Sequence, residues 1–458
     1  MRHTTAGIHE PIWQEIPFQD PAFVARRYRQ RDRLTFLDSA MSHDALGRYA
    51  YLAFDPVETV LAAGHSPLAG VQQALAKGKL NHVEGLPPFQ GGLAGYMAYE
   101  FGCLLEPQLV AKIPAPTIPP LQLHVYDAVI AFDLNQKRAF IISTGYPETN
   151  EAGRLARARI RVEEIVHLLA GPDNLAPPGT TFIDEFQSNF TRPEYERAIR
   201  RTIEYVLAGD IFQANIAQRY SAPLPEDFDA FAFYELLRKR NPATFAAYLD
   251  YGSIKVCSSS PERLVSYDGN LAEARPIKGT RRRVNDSGVD AILKADLLAS
   301  RKDRAENIMI VDLLRNDLSR VCDPGSVEVP VLCGLESYAS VHHLVSVVTG
   351  KLSAGVGTAD LISACFPGGS ITGAPKLRAM EIIGELERVP RNIYCGSIGF
   401  MSFSGRMDFN IAIRTVTCHD GVASFHGGGA ITARSDPSAE YDETLAKVQR
   451  IMEAFRTS

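Results

Sequence analysis

The chain has 458 residues, 45% hydrophobic and 22% charged, with a formal net charge of -5. That length exceeds one small core and implies two to four domains or one large two-lobed unit. The acidic balance, with no basic run longer than Arg281-Arg282-Arg283, excludes the footprint of a nucleic-acid binder.

No apolar stretch reaches the roughly 18 residues that a membrane span requires, and the N-terminus lacks the basic-then-apolar pattern of a signal peptide. The seven cysteines are scattered, and no pair has CxxC spacing. Neither a zinc site nor a disulfide framework is indicated. The expectation is a cytoplasmic, metabolite-handling protein.

In the N-terminal part, strand-like runs such as Ala128-Val129-Ile130-Ala131-Phe132 alternate with turns. Two Pro/Gly-rich stretches interrupt this part, at 113–120 and 171–179. The second sets the expected boundary between an N-terminal lobe, 1–185, and a catalytic region, 186–458, because a strong helix start comes soon after it. There Thr191 and Glu194 form a capping box, and Tyr195, Ile199, Ile203 and Val206 repeat at helical spacing until Gly209. Strands and helices mix without a βαβ rhythm, which predicts an α+β protein built on large antiparallel sheets.

Two marked segments lie next: Ser260-Pro261-Glu262-Arg263 and Arg275-Pro276-Ile277-Lys278-Gly279-Thr280. A lysine beside a carboxylic acid would allow attack by an amine with proton delivery to a leaving group. A solvated charge is the plainer reading of Lys278 taken alone. Asp303 and Glu306 then sit on a helix leading into Ile308-Met309-Ile310-Val311. In the strand-like His342-His343 pair, one ring is expected to face the core and the other not.

The segment Phe366-Pro367-Gly368-Gly369-Ser370-Ile371-Thr372-Gly373-Ala374-Pro375-Lys376 runs toward the helical pattern of Met380, Ile383 and Leu386. With Pro375 in the first helical turn it could present free backbone N–H groups to a carboxylate or phosphate, or be a tight turn. Residues 392–432 read as successive strands, with hairpin turns at Ser404-Gly405 and Asp420-Gly421. Arg414 is expected inside a strand over 411–417, on the face opposite Ile411 and Ile413, either snorkelling to water or meeting an anion. Gly427-Gly428-Gly429 are expected to follow a strand and offer N–H donors. Asp436-Pro437 opens the last helix, where Glu440, Glu443 and Lys447 fall within about 60° of one another. Two helices with carboxylates at i, i+3 could hold one hard cation, or simply complement their dipoles.

Together these segments resemble the chorismate-utilising enzymes. The motifs are Asp210-Ile211-Phe212-Gln213, the Glu262 and Lys278 segments, Asp303 to Asp317, Val341 to Leu344, Phe366 to Lys376, Tyr394 to Gly399, Ile411 to Thr415 and Glu440 to Thr444. They cover 188–455 strongly, with thinner matches around Gly47-Arg48-Tyr49 and Pro88 to Tyr96. The resemblance implies two large antiparallel β-sheets packed together, helices outside, and chorismate with Mg²⁺ in a buried cleft.

It also implies roles. Glu306 and Glu443 would be the Mg²⁺ ligands, with Asp303 and Glu440 beside them. Arg414, Tyr394 and the backbone of Gly427, Gly428 and Gly429 would clamp the enolpyruvyl carboxylate, an Arg fork suiting that group. Lys447, Ser370 and Thr372 would complete the pocket. Glu262 would be the general acid at the C4 hydroxyl, and His343 would lie against the ring.

Lys278 selects the branch. Family members that form anthranilate carry Ala at this position, whereas those that put ammonia on C4 carry Lys. The implied product is 4-amino-4-deoxychorismate, on the way to p-aminobenzoate and folate, formed after Lys278 attacks C2. An ordinary lysine, with a pKa near 10.4, must spend about 4.6 kcal/mol to lose its proton at pH 7, so the site must lower that pKa. Isochorismate-forming members carry a lysine base where this chain has Gln213, which argues against water as nucleophile. Anthranilate synthase is the alternative; isochorismate synthase and a non-catalytic metabolite sensor stand behind it. Ala430 and Arg434 depart from the family pattern without removing a chemical group. The match of Ser39, Arg48 and Tyr49 to the family's tryptophan-binding site is partial. No cysteine sits in a Gly-x-Cys-x-Gly elbow, so a separate glutamine amidotransferase subunit would deliver the ammonia.

Overall fold

The computed structural model describes residues 9–41, 46–64, 66–172, 179–284, 286–338 and 341–456. The first part of the chain forms β1 (Ile12–Ile16), α1 (Pro21–Arg27), β2 (Leu34–Asp38), β3 (Tyr49–Ala53), β4 (Glu58–Leu61) and α2 (Ala69–Gly78). Next come β5 (Gly92–Met97), α3 (Phe101–Leu105), β6 (Leu121–Tyr126), β7 (Ala128–Asp133), β8 (Arg138–Ser143) and α4 (Glu151–Ala170). The middle comprises β9 (Gln187–Ser188), α5 (Arg192–Leu207), β10 (Gln213–Pro223), α6 (Ala230–Arg240), β11 (Phe245–Asp250) and β12 (Ile254–Ser260). Then follow β13 (Arg263–Tyr267), β14 (Ala272–Ala274), β15 (Ile277–Arg282), α7 (Ser287–Ala299), α8 (Arg301–Ser319), β16 (Glu328–Ser337) and β17 (Val341–Gly350). The chain closes with α9 (Thr358–Cys365), β18 (Gly373–Ala374), α10 (Lys376–Glu387), β19 (Ser397–Ser402), β20 (Met407–Asn410), β21 (Thr415–His419), β22 (Val422–Ile431) and α11 (Pro437–Phe455).

These strands make two antiparallel sheets, as expected. The first runs β1-β8-β7-β3-β2-β11-β12-β21-β22-β10-β18, with β9 beside β10; the second runs β15-β17-β14-β13-β20-β19-β5-β6-β4, with β16 beside β17. Each sheet takes strands from both sides of residue 185: Tyr248 pairs with Phe36 in one and Gly399 with Gly95 in the other. Alternation along each strand sends one apolar set between the sheets, where Leu249 and Val256 of the first meet Tyr96 and Ile398 of the second. The opposite face of the first sheet is covered by helices, with Tyr234 of α6 and Val448, Ile451 and Phe455 of α11 packed on Tyr248, Phe425 and their neighbours.

Local signals place several elements. Thr191 and Glu194 do form a capping box on α5, and Gly209, at φ +84°, ends the run just beyond Leu207. Asp436 caps α11 by accepting from the Ala439 N–H at 2.8 Å. Asp420 and Gly421 both take positive φ, joining β21 to β22 as a two-residue hairpin. Among the described residues no helix is long and apolar enough to cross a membrane.

Three expectations need correction. Residues 411–414 are not strand: the Ile411 N–H goes to the Glu262 carbonyl and the Ala412 N–H to Gly396, so β21 starts only at Thr415. Arg414 itself has φ +52°, outside any β-strand geometry. His342 and His343 are both buried, because β17 lies inside its sheet between β15, β14 and β16 with α8 against it. Gly427 to Gly429 lie within β22 and pair with Gln218, Ala217 and Ile216 of β10.

Candidate active site

The first sheet splits where the chain needs an opening. β21 pairs with β22 only from Thr417 to His419, opposite Val422 to Ser424, while β22 continues along β10 to Ile431. Past Ser424 the edge of β22 facing β21 is therefore unpaired among the described residues, and the link 411–414 turns away to Glu262. Glu262 follows β12 directly and is buried at 6% exposure. Its N–H donates to Ser260 Oγ at 3.3 Å, and its carboxylate Oε1 accepts from Ser370 Oγ at 2.8 Å. Burial pushes the Glu262 pKa up; Lys278, the Ser370 hydrogen bond and Arg414 pull against it without cancelling the rise.

Lys278 comes from the second sheet. It lies opposite Leu344 on β17, while Thr280 lies opposite His343, so Gly279 is an extra residue in the ladder. Gly279 has φ +78°, and a Cβ there would meet Asp303 Cβ and Leu297 Cδ1 at 2.9 Å. This is a glycine β-bulge, a device that re-aims the neighbouring side chain. Lys278 Nζ donates to the Ser370 carbonyl at 3.0 Å. Burial lowers its pKa, against the opposing pull of Glu262 and Glu306, with Lys447 adding to the fall. That is the direction an amine nucleophile needs.

His343 stands across the same strand pair. Its Nδ1 is 2.9 Å from Thr280 Oγ1, and its ring meets Tyr338 edge-on at 5.3 Å. Burial and the charge of Arg414 push its pKa down to about 4, so the imidazole is neutral at pH 7. Arg414 has no side-chain ion pair or hydrogen bond among the described residues. Burial, then Arg450, hold its pKa below the ordinary value, while Glu262 opposes. A half-buried guanidinium without an anion leaves its N–H fork available to a bound carboxylate.

The carboxylates come from α8 and α11. Among the described residues Glu306 Oε1 is buried with no hydrogen-bond partner, its nearest cation being Lys302 Nζ at 4.0 Å. Burial raises the pKa of Glu306, and Asp303 and Glu443 add to the rise. Glu440 is buried too, and its pKa rises by desolvation, with Glu443 contributing. Glu443 is half exposed and lies 2.7 Å from Lys447 Nζ. Burial works against its charge, but Lys447, Lys302 and Lys278 outweigh that and leave its pKa lowered. Asp303 is turned toward Arg281 at 3.4 Å. Among the described residues no three His, Cys, Asp or Glu side chains form one metal-sized cluster. The unsatisfied oxygen of Glu306, with Glu443 near enough to couple electrostatically, still fits a cation that takes one or two protein carboxylates and fills its shell from substrate and water.

The remaining expected residues divide. Lys447 Nζ also reaches the Gly428 carbonyl at 2.7 Å, and a Cβ at Gly429 would lie 3.2 Å from Glu440 Oε2 and 3.4 Å from Lys447 Nζ. That glycine leaves room for the charged cluster. Gln213 alternates with Ala214, which packs on α5 and α10, so its amide faces between the sheets, with Oε1 buried and without a partner among the described residues. Thr372 turns its hydroxyl back to the Gly368 carbonyl at 2.9 Å. Tyr394 stacks on His426 at 4.7 Å and 4°, both side chains buried in the core. Lys376 is the first residue of α10 with Pro375 as its N-cap, and it pairs with Asp317 at 2.7 Å.

Three features escape sequence reasoning. Ser370 touches both Glu262 and Lys278, a contact with no local signal. Lys302 sits among the carboxylates, and only its i, i+4 spacing to Glu306 hinted at it. Arg391 and Glu387 form a buried ion pair behind the site.

With this geometry in hand, comparison with known proteins is specific. Residues 35–453 match the family described as chorismate binding enzyme. The chain is 40% identical to aminodeoxychorismate synthase component 1 of Klebsiella aerogenes over 403 residues, covering 86% of this chain and 84% of that protein. It is 36% identical to anthranilate synthase component 1 of Streptomyces coelicolor over 431 residues, covering 92% and 83%. The crystal structure of anthranilate synthase component I from Streptococcus pneumoniae TIGR4 superposes with a TM-score of 0.76 at 29% identity, covering 90% of this chain and 93% of that one.

Proposed function

Because the chain belongs to the chorismate binding enzyme family, we propose that it acts as an aminodeoxychorismate synthase component 1. It joins chorismate and ammonia to give 4-amino-4-deoxychorismate. The observation that carries this over the anthranilate-forming alternative is Lys278, whose Nζ shares the Ser370 residue with the acid Glu262. Relatives with both activities match at similar identity, so overall likeness does not choose between them.

In the proposed reaction the neutral Lys278 amine attacks C2 of chorismate. The ring double bonds shift, and the C4–O bond breaks as Glu262 gives its proton to the departing hydroxyl, which leaves as water. Ammonia then bonds to C4, the double bonds shift back, and the bond from C2 to Lys278 breaks. Arg414 takes a substrate carboxylate, and the neutral His343 lies along the ring without competing for protons. Mg²⁺, held by Glu306 and Glu443 with Glu440 beside them, would neutralise and orient the second carboxylate. Gln213 offers no base to activate water.

The relatives are named as component 1, and this chain would draw its ammonia from a glutamine amidotransferase partner. The test supplies the isolated chain with chorismate, Mg²⁺ and ammonium salt and identifies the product by mass and fluorescence. Formation of 4-amino-4-deoxychorismate, with pyruvate retained, is expected. Anthranilate with released pyruvate, or isochorismate without ammonia, would overturn the proposal. Efficient use of glutamine by the chain alone would overturn the need for a partner.

A further inference from the structure

Ser370 sits in a tight turn, Gly369–Ile371, that joins neither sheet and yet reaches both. Its hydroxyl donates to Glu262 Oε1 at 2.8 Å, and its carbonyl accepts from Lys278 Nζ at 3.0 Å. The turn is fixed from behind. The Ile371 carbonyl accepts from Asn215 Nδ2 and from Arg391 Nη1, each at 3.1 Å, and Thr372 Oγ1 binds the Gly368 carbonyl. Leu313 fills the space beside Gly369, so closely that a Cβ there would lie 2.4 Å from Leu313 Cδ2. Ser370 itself is 7% exposed. A serine held this firmly can dictate the geometry of what it binds.

Resting on the reading above, we propose that Ser370 is a positioning residue for both acid and amine. Its hydroxyl occupies Oε1 of Glu262 and so confines the transferable proton to Oε2. Its carbonyl binds one N–H of Lys278 and so fixes where the nitrogen lone pair points. Neither task needs Ser370 to touch the ring carbons at which bonds form and break.

The proton inventory gives this role a signature. A protonated Glu262 with a neutral Lys278 carries one proton, as does the carboxylate–ammonium pair. The reactive pair therefore differs from the resting pair by where the proton sits, and activity fails on the acid side when the carboxylate takes a second proton. The groups facing Glu262 are Lys278 from β15, Arg414 from the link before β21, Cys395, the Ile277 backbone and Ser370. Of these, Ser370 alone is a neutral side-chain hydroxyl donating to the carboxylate. Such a donor favours the ionised form. Without it the carboxylate takes the second proton at higher pH, so the acid limb of kcat moves upward. The limb belongs to the coupled pair, not to Glu262 alone.

The test compares the full chain with its Ser370→Ala and Ser370→Gly variants, at constant free ammonia with saturating chorismate and Mg²⁺, from about pH 5.5 to 9.5. Both variants keep the backbone carbonyl that meets Lys278, so the comparison isolates the hydroxyl, and agreement between alanine and glycine guards against a packing artefact. Both variants should lose roughly 10- to 100-fold in kcat, with KM for chorismate within about 2-fold and the acid limb displaced upward. An acid limb that stays in place, or a loss confined to KM, overturns the role. Failure of the unsubstituted chain to aminate chorismate at C4 would instead count against the function proposed above. A shifted acid limb in whatever reaction the chain catalyses would still support Ser370.

Discussion

The guanidinium of Arg391 lies 2.6 Å from Glu387 Oε1, and both side chains are almost wholly withdrawn from water. Arg391 also donates to the carbonyls of Ile371 and Asn215, at 3.1 and 2.6 Å, while Glu387 accepts from the Ala217 N–H at 2.8 Å. One ion pair thus pins the Ser370 turn to β10. Arg391→Met would leave Glu387 charged and uncompensated. It is expected to cost roughly 3–5 kcal/mol of stability, read from denaturant unfolding. Unchanged stability would show that the pair holds nothing.

Lys278→Ala should abolish C4 amination and remove any covalent adduct seen by intact-protein mass when chorismate is supplied without ammonia. An adduct that persists in the variant would exclude Lys278 as the nucleophile. Glu262→Gln keeps the shape and loses the proton, so kcat should fall by about 10²- to 10⁴-fold with KM nearly unchanged.

Gly279→Ala places a side chain at φ +78°, against Asp303 and Leu297. A cost of about 1–3 kcal/mol is expected, together with a lower kcat as the bulge relaxes and Lys278 swings away from Ser370. A variant with ordinary kcat would mean that the bulge does not aim the lysine.

Glu306→Gln should raise the Mg²⁺ concentration for half-maximal activity by at least ~10-fold. Calorimetric titration of Mg²⁺ in the presence of chorismate provides a readout free of turnover. Equal Mg²⁺ affinity in the variant would remove Glu306 from the ligand set.

His124 and His343 are buried, and burial lowers both pKa values to about 4. Unfolding restores the ordinary value near 6.5, so between these limits the unfolded chain binds more protons than the folded one. Stability is therefore fully present above about pH 6.5 and is lost as pH falls toward 4, by up to roughly 3 kcal/mol for each ring. Thermal melts from pH 7 to 5 measure the slope. His124→Gln should flatten it, and an unchanged slope would show that His124 does not contribute.

What the sequence disclosed follows from how local each cause is. The α5 capping box, the Asp420-Gly421 turn and the Asp436 cap are settled by neighbours within four residues, and all three were legible. Arg414 was misread as a strand residue because its backbone is set by Glu262 and Gly396, distant in sequence. The alternation rule left one histidine of the pair outside the core, since it cannot see that α8 covers β17. The Glu262 and Lys278 segments stand out by motif, but their meeting at Ser370 depends on a turn that docks between strands from two sheets. Lys302 and the turning of Asp303 to Arg281 likewise depend on tertiary packing.

The interleaving of the sheets also governs how the chain must reach this state. Gly95 waits for Gly399 and Phe36 for Tyr248, partners about 300 and 200 residues further on. At ribosomal rates of about 5–20 residues per second, the first gap alone lasts roughly 15–60 s. Throughout that interval β5 and β2 exist as nascent strands with open hydrogen-bonding edges, liable to pair with another chain. Such long-range pairings also slow closure itself, because the connecting loops must be ordered first. The architecture that brings Lys278 and Glu262 together from two sheets thus leaves early strand edges waiting for partners that emerge much later.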